Sequence, residues 1–137
     1  MVIGIADGDT LTVLNNEKME VKIRLAEIDA PEKRQAFGTR SKQSLSDLCF
    51  GKQAEITPRV KDRYKRTIAR VTCSGVDANT EQVKRGMAWA YPRYVKDHNL
   101  YVMQHEAKAA KRGLWTDSSP TPPWEFRRQG RKHVREI

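Results

Sequence analysis

The chain has 137 residues, 38% hydrophobic and 31% charged, with 26 Lys and Arg against 17 Asp and Glu for a net charge of +9. That length points to one domain with one modest core, and no apolar run approaches the roughly 18 residues a transmembrane helix needs. The basic surplus (pI ≈ 9.8) favours a polyanionic partner, because neutralising phosphates releases counterions and speeds encounter.

In chain order, residues 2–6 and 10–14 read as two strands joined at the Asp-Gly turn of "ADGDT". After the Asn-rich "LNNEKME", the segment "VKIRLAEI" alternates Val21, Ile23 and Leu25 with Lys22, Arg24 and Ala26, a half-buried strand that points Arg24 away from the core. "TRSKQSLSDLCFG" puts Leu45, Leu48 and Cys49 on one helical face, with Gly51 as a stop. "AEITPRV" is a fourth strand, made an edge or a bulge by Pro58. "RTIARVTC" is a fifth, with Ala69, Val71 and Cys73 inward and Arg66, Ile68 and Arg70 outward. "NTEQVKRG" reads as a short helix opened by a capping box of Asn79 and Gln82 and closed by Gly86. "LYVMQHEAKAAKRG" carries Leu100, Met103, Ala107 and Ala110 at helical spacing and ends at Gly113. The boundary falls after Trp115: residues 1–115 form the domain, and 116–137 read as a Pro-rich, basic tail, extended and mobile at its end. This order fits an α+β, mainly β class, a small oligonucleotide-binding (OB) barrel with helices, although strand order cannot be read from local pattern.

Acidic residues gather at the turns of this basic chain. Asp7 and Asp9 flank Gly8, and "RLAEIDAPE" supplies Glu27, Asp29 and Glu32 where Pro31 breaks the third strand. Short carboxylates at loop exits are the oxygen donors that Ca²⁺, Mg²⁺ or Mn²⁺ require, and no His or Cys lies among them to suit zinc. Solvated turn acids paired with neighbouring Arg are the plainer explanation. Asp7 and Glu27 fit it best, as support for the other acids or as solvated groups. His98 and His105 read as surface polar residues, His133 lies in the tail without a role, and Trp89, Trp115 and Trp124 read as packing residues. The tail's Arg run reads as a solvated charge run. Cys49 and Cys73 are two buried thiols, or one disulfide in an exported protein.

Taken together and in order, "DGDT", "RLAEIDAPE", "DRYKRTIAR" and "HEAKAAKRGLW" resemble the staphylococcal nuclease (thermonuclease) family over roughly residues 2–115. The resemblance implies a five-stranded OB barrel with three helices. It also implies a Ca²⁺-dependent (Mg²⁺ or Mn²⁺ as substitutes) phosphodiesterase that cuts DNA and RNA with little sequence preference and leaves 3′-phosphate ends. By position, it gives metal-binding carboxylates to Asp9 and Asp29 and a backbone carbonyl ligand to Ala30, where the family usually has Thr. Glu32 matches the glutamate that activates or orients the attacking water, and Arg24 and Arg66 match the arginines that clamp the scissile phosphate. Tyr64, with Arg63 beside it, matches a nucleotide-phosphate contact; Tyr94, with Tyr91, would offer a face for base stacking. Lys65 stands where the family commonly has Gly, so it is either strained or an extra phosphate contact. The expected partner is DNA or RNA, with no membrane, no obligate protein partner and a monomeric state. No signal peptide is visible, but the resemblance favours a secreted or periplasmic protein, which would permit a Cys49–Cys73 bond. A non-catalytic OB-fold nucleic-acid-binding module is the alternative; it would need the arginines but not the carboxylates.

Overall fold

The structure, a computed structural model, describes the backbone of residues 1–136 and the side chains of 1–130. His133 and the far end of the tail lie outside the described side chains. Three strands open the fold: β1 (Val2–Asp7), β2 (Thr10–Leu14) and β3 (Glu20–Leu25). The short β4 (Ile28–Asp29) and helix α1 (Gly38–Cys49) follow. Next come β5 (Ala54–Lys61), β6 (Thr67–Cys73), β7 (Val76–Asp77) and helix α2 (Ala78–Lys84). The chain ends with β8 (Trp89–Ala90), α3 (Asn99–Ala109), a 3₁₀ turn (Gly113–Thr116) and α4 (Pro123–Glu136).

The class is α+β, mainly β, and OB-like. The main sheet runs β1-β2-β3-β6-β5, with β7 hairpinned onto β6 and β3 parallel to β6. No ladder joins β1 to β5 among the described residues. Val2 instead bonds both Gly51 and Lys52, so the sheet curls back just ahead of β5. As the alternation predicts, Ile23, Leu25, Ala69, Val71 and Cys73 face inward, where Leu45, Leu48, Val83 and Leu100 of the helices cover them. The register of β5 shifts between Pro58 and Val60, the bulge that Pro58 demands. Cys49 and Cys73 are joined as a disulfide across a Cα separation of 5.2 Å, fastening the end of α1 to the end of β6.

Three expectations need correction: the helix count, the cap of α2 and the solvation of Glu27. There are four helices rather than three, because α4 lies in the segment read as an extended tail. Its Pro residues sit ahead of the helix or at its first position, where a missing N–H costs nothing. The cap of α2 also lies earlier, at Asp77, whose side chain accepts from the Thr80 N–H.

Asn79 and Gln82 serve the interior instead. Asn79 Oδ1 accepts from the Val71 N–H, and its amide donates to the carbonyls of Ala26 and Ala69. Gln82 Nε2 donates to the carbonyls of Gly8 and Ser41, and its Oε1 accepts from Ser44. Buried amides are tolerated only when satisfied in this way. Here they tie the Asp7–Asp9 turn to α1 and α2. Gly8 is needed there because an added Cβ would lie 1.7 Å from Ser41 Oγ.

Glu27 is not solvated. Its side chain is 1% exposed; Oε1 accepts from the N–H groups of Lys96 and Asp97, and Oε2 pairs with Arg59 and Arg70. Burial opposes its charge, but those backbone donors and Arg59 hold its carboxyl below the usual range. The contact joins the β3–β4 turn to the segment carrying Tyr91 and Tyr94. Breaking a buried pair strands its partners, so Glu27→Ala should cost about 3–5 kcal/mol in urea unfolding. Because the folded pKa is depressed, the wild-type contribution is complete above about pH 4.3 and is lost as pH falls through the folded value. A loss under about 1 kcal/mol would contradict this role.

Candidate active site

The first turn aims Asp9 inward. The Asp9 N–H donates to Asp7 Oδ1, and the Asp9 carbonyl accepts from the Leu25 N–H, fixing the turn against β3. The Asp9 carboxylate is buried: Oδ1 accepts from the Thr10 hydroxyl, and Oδ2 from the Ala30 N–H at 2.7 Å. Asp29, at the end of β4, is fully buried. The β4–β8 ladder sets it opposite Trp89.

Arg24 joins the two acids. Its guanidinium lies 3.3 Å from Asp9 Oδ2 and 3.4 Å from Asp29 Oδ1, and it also donates to the carbonyls of Leu25 and Ile28. Glu32 stands at the rim, 35% exposed, beyond the Pro31 that ends the strand. Gly38 approaches this segment so closely that a Cβ would meet the Glu32 carbonyl at 2.1 Å.

The electrostatics follow from burial and crowding. Desolvation and the Asp9 charge push the Asp7 carboxyl up to about 7. Asp9 is itself penalised by burial, yet Arg24 and its hydrogen-bond donors hold it below the usual range. Asp29 is raised, chiefly by burial and against the pull of its arginines.

The other residues singled out from sequence stand apart from this cluster. Arg66 Nε donates to Asp62 Oδ2 at 2.8 Å, and its guanidinium lies 5.5 Å from the Tyr64 ring centroid. Among the described residues it forms no ion pair with Asp9, Asp29 or Glu32. The Arg63 guanidinium also lies over the ring of exposed Tyr64, 5.1 Å from its centroid. Tyr91 and Tyr94 meet edge to face at 5.0 Å. One face of Tyr91 is taken by Trp124 of α4, which stacks on it at 5.3 Å with ring planes 9° apart. His98 and His105 are exposed, as expected.

Sequence reasoning missed Arg127. Its Nη1 donates to Asp29 Oδ1 at 3.1 Å and Glu32 Oε1 at 2.6 Å, and its Nη2 donates to Asp29 Oδ2 at 2.6 Å. A Pro-rich linker and a run of Arg read as solvated tail; only the Trp124–Phe126 pair hinted that this helix has an apolar side.

Among the described residues no three His, Cys, Asp or Glu side chains are grouped to hold a metal ion. The arrangement offers the two carboxylates that share Arg24, with the Ala30 backbone beside them. That all-oxygen set suits a hard divalent cation whose remaining ligands are water or phosphate. The cluster already accepts cationic groups, since two guanidiniums are drawn onto Asp29.

Residues 22–117 match the family model described as staphylococcal nuclease homologue. The chain is 49% identical to a Haemophilus influenzae protein called an uncharacterized endonuclease, covering 93% of this chain and 72% of that one. It is 41% identical to a Shigella flexneri protein called micrococcal nuclease, covering 93% and 79%. A staphylococcal-like nuclease of Arabidopsis thaliana is 33% identical over 93% of this chain and 40% of its own length. The chain belongs to the staphylococcal nuclease family.

Lys65 has φ 64°, in the left-handed region. A non-glycine residue there is strained by about 1 kcal/mol, so Lys65→Gly should raise stability by about that amount in urea unfolding. An unchanged or lowered midpoint would show that the turn bears no such strain.

Proposed function

We propose that the protein is a metal-dependent nuclease that hydrolyses DNA and RNA phosphodiesters with little sequence preference, leaving 3′-phosphate ends. The observation that carries this reading is the pairing of buried Asp9 and Asp29 on the Arg24 guanidinium, with Glu32 joined to Asp29 through Arg127 at the rim. A pure binding module would have no use for three carboxylates facing an anionic ligand. Family membership, the endonuclease and micrococcal nuclease names of relatives, and the +9 charge support the same reading.

Asp9, Asp29 and the Ala30 carbonyl would hold the cation, with Ca²⁺ favoured by family and Mg²⁺ or Mn²⁺ fitting the same oxygen chemistry. When bound, it supplies positive charge against the negative charge that builds on phosphorus. Arg24 presents a guanidinium fork that matches phosphate oxygens where Lys would not, and its burial strengthens the contact. Glu32 takes the proton of the attacking water as the new O–P bond forms and the P–O5′ bond breaks; the departing oxygen takes a proton from solvent. Arg66, once it exchanges Asp62 for phosphate, adds a second guanidinium, and Arg63, Tyr64 and Tyr94 hold the flanking nucleotides from an exposed loop and rim. Contacts of this kind address phosphate and ring faces, which accounts for weak sequence preference.

The Cys49–Cys73 disulfide suits an oxidising compartment, so we place the protein outside the cytoplasm, secreted or periplasmic. A monomer suffices for the reaction, since one chain supplies every group named.

Plasmid and heat-denatured DNA should be degraded with Ca²⁺ and spared by chelator. Glu32→Gln and Arg24→Ala should each lower the rate by about 10²–10⁴, with Glu32→Gln melting as the wild type does. Degradation undiminished by both substitutions would refute these roles.

A further inference from the structure

The C-terminal helix is built into the site rather than appended to it. Trp124 is stacked on Tyr91 and meets Trp89 edge-on at 5.6 Å, and Trp89 packs in turn on Trp115 at 4.5 Å. Pro123 is buried, and Phe126 lines a cleft with Pro31, Phe37 and Leu114. Gln35, which holds the Glu32 N–H through its side-chain oxygen, donates from its amide nitrogen to the Thr121 carbonyl just ahead of the helix. The same segment therefore contacts the helix approach and the Glu32 backbone. One turn after Trp124, the arginine fork rests on Asp29 and Glu32.

Its location is specific. Asp29 is a proposed cation ligand and Glu32 the proposed acceptor of the water proton, so the scissile phosphate must lie between them. A guanidinium bridging those two carboxylates stands where that phosphate arrives. Arg127 is 31% exposed whereas Asp29 is 1% exposed, so one edge of the fork meets the acids while the group borders solvent. The other guanidinium assigned to the phosphate besides Arg24 is held by Asp62 and does not touch these carboxylates.

The bonding of Asp29 adds a second consequence. Both its oxygens accept from Arg127, so a cation binding there competes with the fork. A fork that fits a carboxylate fits a phosphate equally well.

We propose that Arg127 is a further catalytic residue: it neutralises Asp29 and Glu32 in the metal-free protein and moves onto the scissile phosphate when cation and substrate bind. The inference rests on the nuclease reading above. It makes α4 part of the active site and gives the site a cation that exchanges one oxyanion for another.

The test uses the full chain as wild type, Arg127→Ala, Arg127→Lys and Arg128→Ala. Arg128 is exposed on the same helix and pairs with Glu125, so its variant serves as control. Calorimetric titration with CaCl₂ alone should show affinity about tenfold tighter in Arg127→Ala, because the competing fork is gone. Arg127→Lys, which keeps charge without the fork, should fall between. Cleavage of a single-stranded oligonucleotide at saturating Ca²⁺ should show kcat about 10²–10³ lower in Arg127→Ala, partly restored in Arg127→Lys and unchanged in Arg128→Ala. Trp124→Ala, which undocks the helix without altering the arginine, should reproduce both effects of Arg127→Ala. Unchanged or raised kcat in Arg127→Ala would overturn the catalytic role and leave the helix a plug. Unchanged Ca²⁺ affinity would overturn the exchange. If the wild type cuts nothing, the nuclease reading fails, and the titration still decides whether Arg127 competes with the cation.

Discussion

The site depends on one guanidinium held between two buried carboxylates. Asp9 and Asp29 are too deeply buried to carry charge unassisted, and Arg24 lies within reach of both. Isolated buried charge is expensive, whereas charge that is paired and hydrogen-bonded is tolerated. The Thr10 hydroxyl and the Ala30 N–H complete the set around Asp9. Three carboxylates against the full charge of Arg24 still leave a surplus of negative charge. Arg127 offsets one unit of that surplus in the structure, and a divalent cation would offset two during the proposed reaction.

That cluster is held by interactions that lie outside it. Gln82 grips the Gly8 carbonyl and so fixes the turn from which Asp9 projects, while Asn79 bridges β6 and the end of β3. Glu27 holds the segment bearing Tyr91 and Tyr94 against the β3–β4 turn. The disulfide secures α1 to β6. Preorganisation of this kind lets dipoles and charges face a transition state without rearranging at the moment of reaction. By contrast, Arg66 sits on an exposed loop with a strained Lys65 before it and is held by Asp62 rather than by the core.

Much of the fold was legible because its strands alternate cleanly. Val21, Ile23 and Leu25 set the facing of Arg24, and Ala69, Val71 and Cys73 set that of β6. Pro58 announced a bulge and Gly51 a helix end. That Asp7, Asp9, Glu27, Asp29 and Glu32 gather at turns and strand exits was legible from Gly8 and Pro31, whereas the roles of Asp9, Asp29 and Glu32 came from the resemblance and not from local pattern. What could not be read depends on distant partners. No local pattern tells that Arg59, Arg70 and two N–H groups from residues 96 and 97 converge on Glu27. Asn79 and Gln82 looked like a cap because their spacing fits one; tertiary packing gave that place to Asp77 and drew them into the interior. Arg127 was hidden by composition: Pro and paired charges resemble a solvated tail until Trp124 has a Tyr91 to stack upon.

The central claim, that buried Asp9 and Asp29 form a seat for a hard cation beside Arg24, can be examined with Tb³⁺ and no nucleic acid. Trp89 is the ladder partner of Asp29, so an ion at that seat lies near an indole able to sensitise its emission. The account predicts sensitised luminescence that saturates at one ion per chain, is displaced by Ca²⁺ and is lost in Asp29→Asn. Emission absent from the wild type, or undiminished in Asp29→Asn, would contradict it.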